Sequence, residues 1–469
     1  MGKKNVLISK IIHLFLIAIT ISLLPPPAFA EIKTFVKEYT YRASDEDSRN
    51  SSRAISLREV KRLLLEELST YIESQTEVQN FQITKDQIIT LTAGIVSTEV
   101  VEDKWDGKVY WLKAKIAANP HDVINSIGRL RKDREKVKEL EELRKYSEEL
   151  LQENKRLNKE LKIATGAKKQ EAVQAYKRNI EILRAYEWLE IGDALLLSGN
   201  NTEAVKSFSK AIELNPQDEK GYRFRGIAYR NLGNYQQALK DYSKAIELNT
   251  QDAMIYVIRG LTYLNLGDNQ KAIIDYSKAI ELNPQATGAH LGRAMSYVAL
   301  GNYQQALKDY NKEVELNPQE VGTYALRGNL YLLKLGNYQQ SIRDYNKAIE
   351  LNPRQVDVYF HRGIAYQKLG DDQKALKDYS KVIELDPSRA GFYCARGRVY
   401  EKLGDNQQAL KDYSKAIELD PKEASPYFIR GGIYLKLGNN EQAMTDLKIA
   451  ARLGLKLAQD LLRSQGIEW

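Results

Sequence analysis

Residues 219–252 read EKGYRFRGIAYRNLGNYQQALKDYSKAIELNTQD, and residues 253–286 read AMIYVIRGLTYLNLGDNQKAIIDYSKAIELNPQA. Aligned without a gap, they place Tyr222 over Tyr256, Gly226 over Gly260, Tyr229 over Tyr263 and Gly233 over Gly267. Ala238, Tyr242 and Ala245 likewise fall over Ala272, Tyr276 and Ala279. Self-similarity at a fixed period of 34 residues marks stacked repeats rather than one globular core. Tyr222, Gly226 and Tyr229 stand at i, i+4 and i+7, one face of a first helix, and Ala238, Tyr242 and Ala245 repeat that spacing on a second. The small residues let the two backbones approach, and the tyrosines fill the space beside them. Gly233 falls where the first helix must stop and can take the left-handed cap conformation, while Pro216 and Pro284 close second helices.

Eight such units start at Ala185, Glu219, Ala253, Thr287, Val321, Val356, Ala390 and Ala424, and together they fill 185–457. The first carries Trp188, Gly192, Gly199, Ala204, Phe208, Ala211 and Pro216. This pattern resembles the tetratricopeptide repeat (TPR). The resemblance implies a mainly α fold, a right-handed solenoid of eight helix-turn-helix repeats, with partners bound along a concave face lined by first helices. Departures are few: Thr250 stands for a terminal proline, Ala294 for a glycine, and one extra residue between Tyr331 and Gly336 predicts a lengthened turn. Residues 458–469 form a cap and tail, with Leu455–Ser464 read as a helix covering the open end of the array.

In repeats two to eight an arginine precedes the small residue of the first helix and an aspartate precedes the aromatic of the second. The pairs are Arg225 and Asp241, Arg259 and Asp275, Arg293 and Asp309, Arg327 and Asp344, Arg362 and Asp378, Arg396 and Asp412, and Arg430 and Asp446. The first repeat has Ile191 and Ser207, losing both members together, which favours pairing over two surface choices copied by duplication. Partly exposed pairs would add at most about 1 kcal/mol each.

The residues following the first-helix anchors define the partner-facing strip. They are Arg223, Ile227 and Arg230; Val257, Leu261 and Leu264; Leu291, Met295 and Val298; Ala325, Asn329 and Leu332; and Phe360, Ile364 and Gln367. Cys394, Arg398 and Glu401 follow, then Phe428, Gly432 and Leu435. Capture of an acidic peptide terminus needs clustered cations, whereas Arg223, Arg230 and Arg398 are scattered among aliphatics. An amphipathic helix or an extended apolar peptide suits the strip better; the competing reading is that these side chains pack on one another or on helices from 126–184.

Before the array, residues 1–30 have the layout of a cleaved signal peptide. Lys3, Lys4 and Lys10 start it, Ile11–Leu24 is its apolar core, and Ala28-Phe29-Ala30 supplies the cleavage site. An uncleaved anchor is the alternative, but His13 and Pro25-Pro26-Pro27 make the run short for a span of about 20 residues. No later stretch is apolar enough to cross a bilayer, so no transmembrane segment is expected after cleavage. A periplasmic or otherwise exported location follows. Losing the three lysines brings the formal +8 to +5, a weak bias that, with export, argues against nucleic acid.

Residues 31–125 read as a small α+β domain. Phe35–Tyr41 is extended, and Val60, Leu63, Leu64, Leu68 and Ile72 share a helix face. Ile88–Val101 and Val109–Ala118 read as strands, the second with Tyr110, Leu112, Ala114 and Ile116 on one face, and Asp106-Gly107 suits the hairpin turn between them. With Ala93-Gly94-Ile95-Val96 leading into the hairpin, this domain resembles the N-terminal domain shared by a small outer-membrane lipoprotein family and flagellar assembly protein T. That resemblance implies docking in a Gram-negative envelope.

Residues 126–184 read as a helical spacer. Leu143, Leu150 and Leu157 recur every seven residues, with Leu140, Ser147, Asn154 and Leu161 in the other seam position. Two readings stand: a short parallel coiled coil making a homodimer through 137–164, or a solvated spacer helix. Gly166 breaks the helix and 168–184 forms another.

The 29 tyrosines against 9 phenylalanines follow from the repeat motif. The single cysteine, Cys394, excludes intramolecular disulfides; it is either a reactive thiol or a small filler of a repeat helix. His121, His290 and His361 lie far apart without metal-ligand spacing, and the glycines serve the repeat rather than a phosphate loop. No cofactor or metal is expected. The function read here is a non-enzymatic binding scaffold for envelope complex assembly; the alternative is a receptor for peptidoglycan or another envelope polymer.

Overall fold

A computed structural model describes residues 32–74, 85–93, 96, 98–130, 134–286 and 288–469. The signal segment and its cleavage site lie outside them. The chain divides into two compact units, 1–248 and 249–469.

The first unit opens with a three-stranded sheet in the order β1-β3-β2, where β1 is Lys33–Arg42, β2 Glu99–Trp105 and β3 Val109–Ala118. Both neighbours pair with β3 antiparallel, Phe35 opposite Ile116 and Trp105 opposite Tyr110. The turn between β2 and β3 forms because Gly107 takes a φ of +97° and Asp106 Oδ1 accepts the backbone N–H groups of Lys108 and Val109. Tyr110, Leu112, Ala114 and Ile116 are each 0% exposed. They face Val60, Leu64, Leu68 and Ile72 of helix α1, Arg49–Glu73. A capping box starts α1: Ser48 accepts from the Ser51 N–H and Ser51 accepts in return from the Ser48 N–H.

Two expectations for this unit are corrected. Ile88–Val101 is not a single strand, because Lys85–Ala93 forms helix α2 and pairing starts only at Glu99. The β-branched run Ile88-Ile89-Thr90 favours a strand on propensity. In the fold, however, Ile88, Leu91 and Thr92 at i, i+3 and i+4 bury a helical face, and that packing prevails. Ala93 thus ends a helix; Gly94 and Ile95 lie outside the described residues.

The second correction concerns the spacer. After helix α3, Pro120–Leu130, helix α4 covers Arg134–Leu161, and the chain turns back at 162–165 into α5, Gly166–Leu197. Leu150, Leu157 and Leu161 pack into one cluster with Ala172, Tyr176, Ile180 and Leu183 of α5, and Asn154 is buried between them at 3% exposure. This half of the seam is covered by α5 of the same chain. The spacing of the α5 residues lays an apolar stripe along α4, and a tethered helix outcompetes a free one. Nor is there a helix boundary at 184/185, since α5 runs unbroken into the first helix of repeat one.

Helix α1 also lies against α5. Arg53 reaches Glu187 at 2.8 Å, and Arg58 and Lys61 both reach Glu190 at 2.7 Å. Burial opposes ionisation of Glu190, but Lys61 and Arg58 outweigh it and pull its carboxyl down to about 2. Asp47 closes the junction, accepting from the hydroxyls of Tyr41, Ser44, Ser51 and Tyr176. Among the described residues, neither Oδ1 nor Nδ2 of Asn154 has a partner. Asn154→Leu is therefore expected to raise stability by about 1–3 kcal/mol, read as the urea midpoint of the full chain. An unchanged or lower midpoint would mean the amide is satisfied after all.

The repeats are helix pairs. In the first unit these are the end of α5 with Asn201–Leu214, then Glu219–Asn231 with Tyr235–Leu248. The second unit stacks six more, from Ala253–Asn265 with Asn269–Leu282 to Ala424–Lys436 with Asn440–Arg452, and Lys456–Ser464 covers the last. The first helix of repeat four starts at Ala289; Thr287 lies outside the described residues. The extra residue of repeat five sits in a longer turn. There the Asn337 N–H reaches back six residues to Tyr331 O, where Asn302 and Asp371 at the same turn reach back five.

Candidate functional site

Each first helix presents three faces. The first, carrying the anchor glycine, receives the aromatic of the second helix. A Cβ at Gly226 would come within 2.5 Å of the Tyr242 ring, and one at Gly328 or Gly363 within 2.7 Å of Tyr345 or Tyr379. Tyr242, Tyr345, Tyr379 and Tyr413 are each 0% exposed. In repeat four, where Ala294 replaces glycine, Tyr310 remains buried.

The second face carries the arginines. All seven pairs are in contact, with Nε–Oδ2 and Nη2–Oδ1 distances between 2.6 and 2.9 Å. Two parallel N–H···O bonds per pair make the contact directional as well as charged. The aspartate side chains are only 4–9% exposed, more buried than the partly exposed pairs anticipated from the sequence. The remaining nitrogen, Nη1, donates 16 residues back to the preceding repeat. It reaches Ser209 from Arg225, Ser277 from Arg293, Asn311 from Arg327, Asn346 from Arg362, Ser380 from Arg396 and Ser414 from Arg430. Each of these six guanidinium groups thus closes its own hairpin and ties it to the hairpin before. The sequence carries a signal for this tie beyond the Arg–Asp pairs, a Ser or Asn directly after the second-helix aromatic.

His290, in a tyrosine slot, keeps that slot's bond. Its Nε2 lies 3.3 Å from Pro284 O, as the Tyr324 hydroxyl donates to Pro318 O at 3.2 Å. Its Nδ1 is 3.5 Å from Asp309 Oδ1. Burial raises the Asp309 carboxyl, but Arg293 and His290 more than offset this, so it stays below the ordinary range.

The third face is the strip proposed for partners. In the first unit Arg223 is buried at 9% exposure with its guanidinium 4.7 Å from the Phe224 ring, while Ile227 and Arg230 are half-buried. Arg223 is therefore a packing residue rather than a free cation, a correction to its place on the strip. In the second unit Leu261 and Met295 are 37% and 38% exposed, and Val257, Leu264, Leu291, Val298 and Ile364 are half-buried. Leu332 is withdrawn, 6% exposed in the core of repeat five. Phe360 joins a ring cluster, 5.7 Å from Tyr379 and 5.2 Å from Phe392. Asn329 and Gln367 accept the Tyr345 and Tyr379 hydroxyls at 2.7 and 2.5 Å, so the second-helix tyrosines reach this face through their glycine slots.

Cys394 is half-buried on the same face, and burial pushes its thiol up to about 11, which favours the filler reading over a reactive thiolate. Among the described residues, no group of three or more His, Cys, Asp and Glu side chains is placed to hold a metal ion. No described helix is long and apolar enough to cross a membrane.

Family models for the tetratricopeptide repeat match residues 185–218, 220–252, 253–285, 288–320 and 356–389, and a further TPR repeat model matches 332–370 and 397–438. The array is one of tetratricopeptide repeats. Among solved structures, a tetratricopeptide repeat protein from Parabacteroides merdae is 26% identical, covering 56% of this chain and 99% of its own, with a TM-score of 0.39. YrrB, described as a TPR protein with an unusual peptide-binding site, is 26% identical over 38% of this chain and 92% of its own, with a TM-score of 0.36. The MamA protein is 28% identical over 37% and 94%, with a TM-score of 0.35. No curated protein matches the chain.

Proposed function

We propose that this chain is an exported, non-enzymatic scaffold that holds a protein or peptide partner on the apolar first-helix strip of its second unit. The observation carrying this reading is the set of aliphatic side chains, Val257, Leu261, Leu264, Leu291, Met295 and Val298, left partly exposed at equivalent positions of successive repeats. A helix pair can bury its apolar residues against its own partner, and its tyrosines and alanines do so here. Aliphatics held at the surface beside that full core are surface available to another chain. An amphipathic helix, with apolar residues at i, i+3, i+4 and i+7, fits a face of this chemistry.

The N-terminal sheet domain acts, in this proposal, as a docking module in the cell envelope, a reading that rests on the sequence resemblance alone. A homodimer through 137–164 would require α4 to leave α5. Export is tested by sequencing the N-terminus of the mature chain, which is expected to begin at Glu31; an intact Met1 would overturn it. For the strip, Leu261→Asp with Leu264→Asp places two charges where a partner's apolar side chains would lie. Partner capture from the native envelope is expected to fall by about 100-fold or more, since each buried charge costs several kcal/mol. Unchanged capture by a folded double variant would rule the strip out.

A further inference from the structure

The second-helix tyrosines show where the strip offers hydrogen bonds. Tyr345 meets Asn329, 16 residues earlier, and Tyr379 meets Gln367, 12 residues earlier, so both hydroxyls find neutral acceptors on their own first helix. Repeat seven differs. Tyr413 is as deeply buried, its ring lies against Gly397, and its hydroxyl has no partner among the described residues. The residue 12 positions before it is Glu401, which is drawn away to Lys436 Nζ at 3.0 Å. Arg398 stands in the position of Asn329, and a guanidinium can only donate.

Arg398 is exposed, and no hydrogen bond or ion pair holds it among the described residues. It follows Gly397, against which the Tyr413 ring lies, and stands one turn beyond Cys394 on Ala390–Lys402, which places it beside the same spot. The spot therefore has a free cation, an orphaned buried hydroxyl and no available acceptor. An unpaired buried donor is costly, and an acceptor brought from outside completes it. The flanking positions are mostly apolar, Phe360 and Ile364 in repeat six and Phe428 and Leu435 in repeat eight, and the amide oxygen of Gln367 in repeat six is taken by the Tyr379 hydroxyl. A Cβ added at Gly432 would meet nothing within 4 Å, so there is open space beside the spot.

We propose that the first-helix face of repeat seven receives the carboxylate of an Asp or Glu side chain within a partner peptide whose residues on either side are apolar. This rests on the reading of the strip as a peptide-binding surface and deepens it. Arg398 supplies the charge and the Tyr413 hydroxyl a second hydrogen bond. An internal side chain is required rather than a chain terminus, because apolar contacts continue in both directions.

The test pans the immobilised full chain against bead-displayed, C-terminally amidated peptides with a fixed central Asp, Asn or Lys among random apolar residues. Wild type is expected to retain central Asp over central Asn by about ten-fold, the scale of one charge-assisted hydrogen bond. Arg398→Glu, an exposed substitution checked by circular dichroism, is expected to shift retention to central Lys. Tyr413→Phe keeps the ring and is expected to lower the Asp preference without lowering apolar retention, a change that a merely structural role would not produce. Retention of apolar peptides with no preference among the three centres would overturn this inference and leave the strip reading standing. Loss of all peptide retention would overturn both. Equal retention of free-acid peptides with central Asn would show that a terminal carboxylate is held and would also overturn it.

Discussion

Asp378→Ala is expected to destabilise repeat six by about 3 kcal/mol, several times the effect of removing a surface ion pair. The Asp378 side chain is 4% exposed and Arg362 is 16% exposed, with Nε and Nη2 bonded to the two carboxylate oxygens at 2.8 and 2.7 Å. Truncating the acid leaves a guanidinium in a largely dry pocket. Its Nη1 bond to Asn346 and its partial access to water hold the loss to the lower end of the range for broken buried pairs. The loss is read by hydrogen exchange of amides in Val356–Lys368 and Asp372–Leu385, because a repeat array opens locally and one melting temperature would average it away. Arg362→Met with Asp378→Leu removes both charges and is expected to recover most of the loss, since two apolar groups of similar shape leave no stranded charge. A single-variant loss below about 1 kcal/mol would return the pair to the rank of a surface salt bridge.

Tyr345→Ala is expected to cost more, about 3–5 kcal/mol, because it empties the slot between the two helices of repeat five. The ring is 0% exposed and fills the space left by Gly328, where a Cβ would come within 2.7 Å of it. Alanine cannot fill that volume, and Gly328 offers no side chain to collapse into it. Tyr345→Phe separates packing from hydrogen bonding: it keeps the ring, removes only the bond to Asn329, and is expected to cost about 1 kcal/mol. The comparison is made by hydrogen exchange over Val321–Leu333 and Tyr338–Leu351. Equal losses for the two variants would mean that the hydroxyl, and not the ring, carries the contact.

The two predictions share a cause that was readable in part. The alternation of Gly328 with Tyr345 and the co-occurrence of Arg362 with Asp378 recur at the repeat period, so each is legible from sequence alone. The period names partners because a 34-residue unit can close only one way, with its small positions against its large ones. Spacing does not measure solvent. That the aspartates are buried, that Arg223 and Leu332 pack inward while Leu261 and Met295 remain at the surface, and that Tyr413 lacks the acceptor Tyr379 has, depend on neighbours in three dimensions.

Outside the repeats the sequence is a weaker guide, for the same reason. Leu150, Asn154, Leu157 and Leu161 declare a seam, but a seam does not say what covers it; α5 does, because the short turn at 162–165 brings its apolar stripe back onto α4. Ile88-Ile89-Thr90 declares β-branched residues, yet the cavity against α1 accepts them as a helix. The sequence by itself determined the repeats and their internal pairings, since these rest on contacts between residues close along the chain. Only the tertiary structure decided which faces are covered and which side chains keep a free bond, because burial is a property of what packs from elsewhere.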